Sequence, residues 1–223
     1  YEEVLYNYIF ISWSVFIIGF LDDLRIDIKP LSRLVIMISL LFTTIYILPI
    51  KILNIDIPFL TSLMSSHMFS SIFVLLCFLF VINGANLIDG FNGLLTINLI
   101  IINIVLAYIN IRSGNLEFSI LLISQIIILF SFLLFNFPGA KIFLGDSGAY
   151  TMGALIGLNT IITNNLNPNI SSFFFCTLLF YLFFEVFFSF SRKLLQEKSP
   201  IYPDDKHLHM LCFYKISSRY GKN

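Results

Sequence analysis

A chain of 223 residues that is 58% hydrophobic and 12% charged, with mean hydropathy +0.91, lies far from a soluble domain and close to a polytopic helical membrane protein. Thirteen basic and thirteen acidic residues cancel, so the basic footprint of a nucleic-acid partner is missing. Cys77, Cys176 and Cys212 are scattered, without the spacing of a disulfide framework or a zinc site. The chain starts at Tyr1 and shows no cleavable signal pattern, and we expect further sequence at both ends.

Apolar runs long enough to cross a bilayer with some tilt fall at 4–21, 34–50, 67–83, 94–110, 118–135, 147–163 and 173–190. They predict an all-α transmembrane helical bundle of about seven spans, forming a single domain over 1–223. The connections alternate in character. Segments 22–33, 84–93, 136–146 and 191–223 hold eleven of the thirteen Lys and Arg, and the remaining two are Lys51 and Arg112 on the other side. On the inner loops alone the ratio is four to two. The positive-inside rule therefore puts the first set in the cytoplasm and the N-terminus outside. Asp22, Asp23, Asp27, Asp89, Asp146, Glu197, Asp204 and Asp205 fall in that same set. A plain membrane scaffold has no cause to gather its acids on one face.

Four polar constellations lie on that face. Gly19-Phe20-Leu21-Asp22-Asp23 ends the first span, followed by Arg25, Lys29 and Arg33. Adjacent carboxylates diverge, so one can face a metal or phosphate while the other bonds backbone, and the cations after them suit phosphates or simply mark the inner side. Asn83-Gly84-Ala85-Asn86-Leu87-Ile88-Asp89-Gly90-Phe91-Asn92-Gly93 follows a charge-free apolar run. Steps of three turn about −60° on a helix, so Asn83, Asn86 and Asp89 share a face suited to a cation or a phosphate ester. Polar groups at such depth are costly unless they line water or bind a ligand.

The third constellation, Asn136 to Gly148, ends with Gly145-Asp146-Ser147-Gly148 at the start of a span. Free N–H groups at a helix N-terminus suit an anion, although Asp146 can equally cap that helix. The fourth, Ser199 to His209, puts His207 and His209 on one side of an extended segment, where they suit phosphate better than zinc. Glu185 lies within a span, as an interhelical contact or a side chain reaching toward the cytoplasm. Asp22, Asp23, Asp89 and Asp146 bring up to four negative charges together, and such a cluster calls for a divalent cation, Mg²⁺ by its preference for oxygen ligands and substrate phosphates.

These motifs, in this order and on one face, resemble the polyprenyl-phosphate N-acetylhexosamine-1-phosphate transferases. Asp22-Asp23 matches the family's Asp-Asp pair, Asn83 to Gly90 its Asn-x-x-Asn-x-x-Asp-Gly motif, Asn136 to Asp146 its third motif, and His207 and His209 its His-x-His loop. The match runs from about residue 12 to 213. It implies a fold of ten or eleven membrane helices, of which this chain would be a part. It also implies transfer of a sugar-1-phosphate from a UDP-N-acetyl sugar to undecaprenyl or another polyprenyl phosphate, releasing UMP. The setting would be the cytoplasmic face of the bacterial inner membrane, in cell-wall, O-antigen or other polysaccharide synthesis.

By the same resemblance, Asp146 is the principal Mg²⁺ ligand, with Asp89 beside it, and Asp22, Asp23 and Asp89 are catalytic. Asn86, Asn136, Phe143, His207 and His209 would contact the substrates, Phe143 by stacking on uracil; Lys29 and Arg33 by their charge, and Asn92 by its amide, are further substrate-contact candidates. Two departures stand out. Asn92 replaces a second family Asp, and Met210 follows His209 where the muramoyl branch carries a third His, which points to the WecA-like, O-antigen branch. Two other classes remain in view: an intramembrane aspartyl protease built on Asp146, and a transporter with Glu185 as an acidic gate. The many Phe of 173–190 suit either lipid or a second subunit, so a homodimer is open.

Overall fold

The computed structural model describes residues 2–24, 28–48, 50–53, 55–197, 199 and 206–220. Arg25, Asp27, Lys198, Asp204, Asp205 and Lys222, used in the charge count, fall outside the described residues, as does 200–205 of the fourth constellation. The described chain is all helix: α1 (Glu2–Asp23), α2 (Pro30–Ile47), α3 (Pro58–Leu63), α4 (His67–Ile88), α5 (Leu94–Arg112), α6 (Leu116–Asn136), α7 (Gly145–Leu166), α8 (Ser172–Leu178), α9 (Phe180–Leu195) and α10 (Leu208–Tyr220).

The all-α polytopic bundle stands, but seven equivalent spans do not. Five helices, α1, α2, α4, α5 and α6, are long and apolar enough to cross a membrane. A sixth follows if α8 and α9 are joined across their 66° bend. The difference lies in α7, whose Gly, Asn and Thr residues lower its hydropathy while more than half its length is buried. It packs on α1, α4 and α5, so its neighbours are protein rather than lipid. A helix in that position needs small packing surfaces more than apolar ones. Gly153 accordingly sits against Ala85 and Ile82 of α4.

Outer faces carry the lipid-facing load. Phe10, Trp13 and Ile17 on α1, and Ile127, Ile128 and Leu134 on α6, are large, apolar and exposed. Inside, several polar groups are paired across helices. Asn159 on α7 donates to Asn103 of α5 (2.9 Å) and Gln125 of α6 (2.7 Å) and accepts from the Tyr8 hydroxyl of α1. Asn110 donates to Thr163 (2.9 Å). At one end of the bundle, Asn165 pins the backbone of Lys51 and Leu53, and Asp56 accepts from Ser171 and the Ser172 N–H. The opposite end gathers the termini of α1, α2, α4, α7 and α9, and the acidic motifs stand there.

Candidate active site

A close helix crossing places the first carboxylates. A side chain at Gly19 would collide with the backbone of Asp146 and Ser147, so α1 and α7 touch directly, three residues before Asp22. Asp23 then reaches the start of α7. Its Oδ1 accepts from the Asp146 N–H (2.9 Å), and its Oδ2 accepts from the Ser147 N–H (3.0 Å) and hydroxyl. Gly145 permits this, with φ +70° and a Cβ position only 2.8 Å from Asp23 Oδ2. Asp23 thus satisfies free donors of α7 from another helix. Asp146 does not cap its own helix, and Asp23, expected in the chemistry, has both oxygens engaged by the frame.

Asp22 points elsewhere. Its carboxylate is ion-paired with Arg33 of α2, whose same Nη1 also meets Asp146 Oδ2 at 3.2 Å. Asn86 of α4 donates to the other Asp146 oxygen at 2.8 Å. The Arg33 guanidinium lies 6.0 Å from the centre of the Tyr150 ring. Four helices therefore converge on one half-buried cluster. Arg33 bridges two of the acids.

The bridge leaves charge uncompensated. Burial pushes the Asp89 carboxyl up to about 7, and Asp146 adds to the effect. Asp146 is pushed up to about 6, by burial first and then by Asp22, while Asn86 and Arg33 pull the other way. Asp89 caps the end of α4, close enough to Asp146 to feel its charge. Among the described residues, no three His, Cys, Asp or Glu form a ready metal cage. The oxygen donors of Asp146, Asp89 and Asn86 nevertheless fit Mg²⁺, which is held by one or two carboxylates with phosphate and water completing its shell.

Other expected residues frame the cluster. Asn136 accepts from the Gly93 N–H (2.6 Å) and donates to the Ile142 carbonyl (2.9 Å), and Asn92 donates to the Pro138 carbonyl (3.0 Å). Asn136 is buried, with its amide given to backbone, so it ties the α4–α5 turn to the 137–144 loop instead of offering itself to a ligand. Phe143 stands on that loop 77% exposed. Lys29 is exposed just before α2.

His207 and His209 are buried against Glu185 of α9, with Nδ1 to carboxylate distances of 3.6 and 3.4 Å. Glu185 is thereby engaged by two imidazoles, which argues against an acidic gate. Sequence reading had offered Glu185 as an interhelical contact, a side chain reaching toward the cytoplasm or an acidic gate; Tyr150 gave no signal, and Lys193 entered only the charge count. Lys193, Arg33, Asn83 and Asn86 line one end of a groove of about 390 Å³ between α2, α4, α7 and α9. Its other end, by Met37 and Leu76, is apolar, about 15 Å farther along α4.

The chain is 29% identical over 210 residues to an undecaprenyl-phosphate alpha-N-acetylglucosaminyl 1-phosphate transferase of Thermotoga maritima, a match covering 92% of this chain and 60% of that protein. It is 34% identical over 154 residues to a phospho-N-acetylmuramoyl-pentapeptide-transferase of Streptococcus thermophilus, covering 65% and 45%. A Sulfolobus acidocaldarius protein, provisionally named a UDP-N-acetylglucosamine–dolichyl-phosphate N-acetylglucosaminephosphotransferase, is 32% identical over 160 residues, covering 70% and 48%. The chain spans 60% or less of the length of these three relatives. With its apolar helices, it is an integral membrane protein. The sequence profile of glycosyl transferase family 4 matches residues 5–164, and the chain belongs to that family.

Proposed function

We propose that this protein transfers an N-acetylhexosamine-1-phosphate from a UDP-sugar to a polyprenyl phosphate, at the cytoplasmic face of a bacterial plasma membrane. The observation that carries the reading is the Asp22–Arg33–Asp146–Asn86 cluster at the mouth of a groove that turns apolar with depth. A soluble nucleotide sugar and a membrane-bound isoprenoid can meet only where polar helix ends border such a groove. Arg33 and Lys193 place cations at the mouth, and the apolar walls suit the isoprenoid chain.

In the reaction, an oxygen of the lipid phosphate attacks the β-phosphorus of the UDP-sugar in line. A new O–P bond forms, the bond from that phosphorus to the bridging oxygen breaks, and UMP leaves with the oxygen. Little covalent work falls to the protein, so positioning and charge stabilisation carry the rate. Asp22 and Arg33 orient the lipid phosphate, and an incoming phosphate competes with the carboxylates for Arg33. Asp146 and Asp89 would hold Mg²⁺, which when bound neutralises charge on the diphosphate. Phe143 offers its face to uracil. Asp23 keeps Asp146 in place from behind.

The N-acetylglucosamine branch is favoured over the muramoyl branch by Met210, and by the longer alignment with the Thermotoga maritima relative. An aspartyl protease is disfavoured because Arg33 stands between Asp22 and Asp146, where such chemistry needs two carboxylates sharing a proton. The test is UMP release from UDP-N-acetylglucosamine, undecaprenyl phosphate and Mg²⁺ by the purified chain. Release that requires all three supports the proposal; no release with any UDP-N-acetyl sugar overturns it.

A further inference from the structure

At the end of the bundle opposite the acidic cluster, a cavity of about 160 Å³ lies between the 51–55 strap, α3 and the first turns of α4. Ser70 in its wall stands about 28 Å along α4 from Asp89. The walls are fixed. Asn165 holds the strap at Lys51 and Leu53, the Thr61 hydroxyl donates to the Ile55 carbonyl (2.8 Å), and the Ser65 hydroxyl donates to the Ser62 carbonyl (2.7 Å). Two polar side chains of the lining stay unpaired among the described residues. Lys51 is exposed and in no ion pair. Ser70 is 1% exposed, and its hydroxyl has no hydrogen-bond partner.

Ser70 departs from the behaviour of other helical hydroxyls here. Ser71, Ser119 and Thr151 each donate to the carbonyl four residues back, at 2.7–2.9 Å. Ser66 offers Ser70 the equivalent carbonyl, yet the Ser70 N–H takes it (2.9 Å) and the hydroxyl does not. A buried hydroxyl without a partner costs stability unless a ligand supplies one. The start of α4 adds charge of the same sign as Lys51, because the Ser66 side chain caps none of the free N–H groups in the first turn. A cation, a hydroxyl and a helix N-terminus select an anion, and the described lining holds no carboxylate to repel it. Asp56, farther along the strap, is already taken by Ser171 and the Ser172 N–H.

The rim indicates which anion. Leu53, Ile57, Phe59 and Met68 stand exposed on the strap, α3 and the start of α4. A free anion has no use for such a rim, whereas acyl chains lie along it when their phosphate is in the cavity. We propose that this cavity binds the phosphodiester of an anionic phospholipid, in the leaflet opposite the acidic cluster, with Lys51 and Ser70 donating to the phosphate. A headgroup amine would set a second cation beside Lys51 with no acid to balance it, so an amine-free headgroup is selected. The site owes nothing to the transferase reading and is tested without it.

Native mass spectrometry of the full chain, released from detergent containing equal phosphatidylglycerol and phosphatidylcholine, counts the lipid retained. Wild type is expected to keep one phosphatidylglycerol about 5–10-fold more often than phosphatidylcholine, and Lys51→Gln or Ser70→Ala to bring the ratio below about twofold. Arg112→Gln removes another cation of that end and should leave the ratio alone. In thermal scans, phosphatidylglycerol should raise the unfolding midpoint of wild type but not of Ser70→Ala, whose lipid-free midpoint stays level or rises. Wild-type selectivity in Lys51→Gln and Ser70→Ala overturns the proposal. An equal loss in Arg112→Gln also overturns it, since attraction to a basic end would then suffice. Displacement of the lipid by millimolar inorganic phosphate would make this a soluble-anion site and overturn the lipid assignment. A lipid-free Ser70→Ala that unfolds well below wild type gives Ser70 a packing role and overturns its part in binding.

Discussion

Two polar regions share this bundle and obey different rules. In the interior, Asn159 meets Tyr8, Asn103 and Gln125, four neutral side chains from four helices with their groups turned on one another. At the acidic end, Asp22 and Asp146 share one arginine, Asp146 takes one amide, and Asp89 lies near enough to Asp146 to feel its charge; Asp89 and Asp146 are driven well above the ordinary aspartate value. Neutral groups buried among helices can finish their hydrogen bonding within the protein, and then they hold it together. Charges left in excess on a half-buried surface cost stability. They are kept where a ligand completes them.

The contrast can be broken most sharply at Asp146. Asp146→Asn is expected to lower UMP release at least about 100-fold while the thermal unfolding midpoint stays level or rises. Retained turnover would put Asp146 in the interior's class. Next, Arg33→Gln removes the bridge without touching a carboxylate. The loss of charge-assisted bonds to phosphate should reduce kcat/KM for the lipid by roughly tenfold or more, as measured by varying undecaprenyl phosphate. A normal lipid dependence would leave Arg33 only the task of separating the two acids.

The interior region should answer in the opposite sense. Asn159→Ala deletes three interhelical bonds worth about 0.6 kcal/mol each in membrane helices, so the unfolding midpoint should fall by about 4–8 °C, with turnover per folded molecule intact. A loss of turnover without a loss of stability would mean that the two regions are coupled.

The smallest effect expected is with pH. Folded Asp89 and Asp146 bind protons more tightly than the unfolded chain does, because their values are raised to about 7 and about 6 from 3.8. Stability without added metal should therefore be greatest below about pH 4 for these groups and decline as pH rises toward 7. Both groups are partly exposed, so solvent screening keeps the change small, about 2–4 °C at most by thermal scan. Mg²⁺ added at pH 8 should recover the difference. No recovery would count against the metal reading of Asp146 and Asp89.

Much of the acidic end was legible in the sequence, for a physical reason. Asp22, Asn86, Asp89 and Asp146 interrupt or border apolar runs, and polar groups in such places are expensive enough to be informative. Contacts between helices were not legible. That Asp23 would serve α7 while Asp22 met Arg33 depends on how α1 crosses α7, and no spacing within either segment encodes the crossing. Asn136 shows the same limit: residue type suggested a ligand contact, while the loop around it took both ends of its amide. Residues 147–163 were counted among the apolar runs long enough to cross, yet burial of α7 among α1, α4 and α5 lets it carry Asn159, Thr163 and Asn164.

The contact at Gly19 bears on the bilayer as well as on the site. Membranes differ in thickness, and helices adjust by tilting. Where α1 is pinned to α7 at Gly19, a tilt pivots about that point. Asp22 lies about 4.5 Å from the pivot along the axis, whereas the start of α1 lies about 25 Å away on the other side. A tilt that carries the distant end by several ångströms therefore shifts the carboxylate by less than one fifth as much. The geometry of the acidic cluster would ride through changes in lipid composition that visibly reorient the helices.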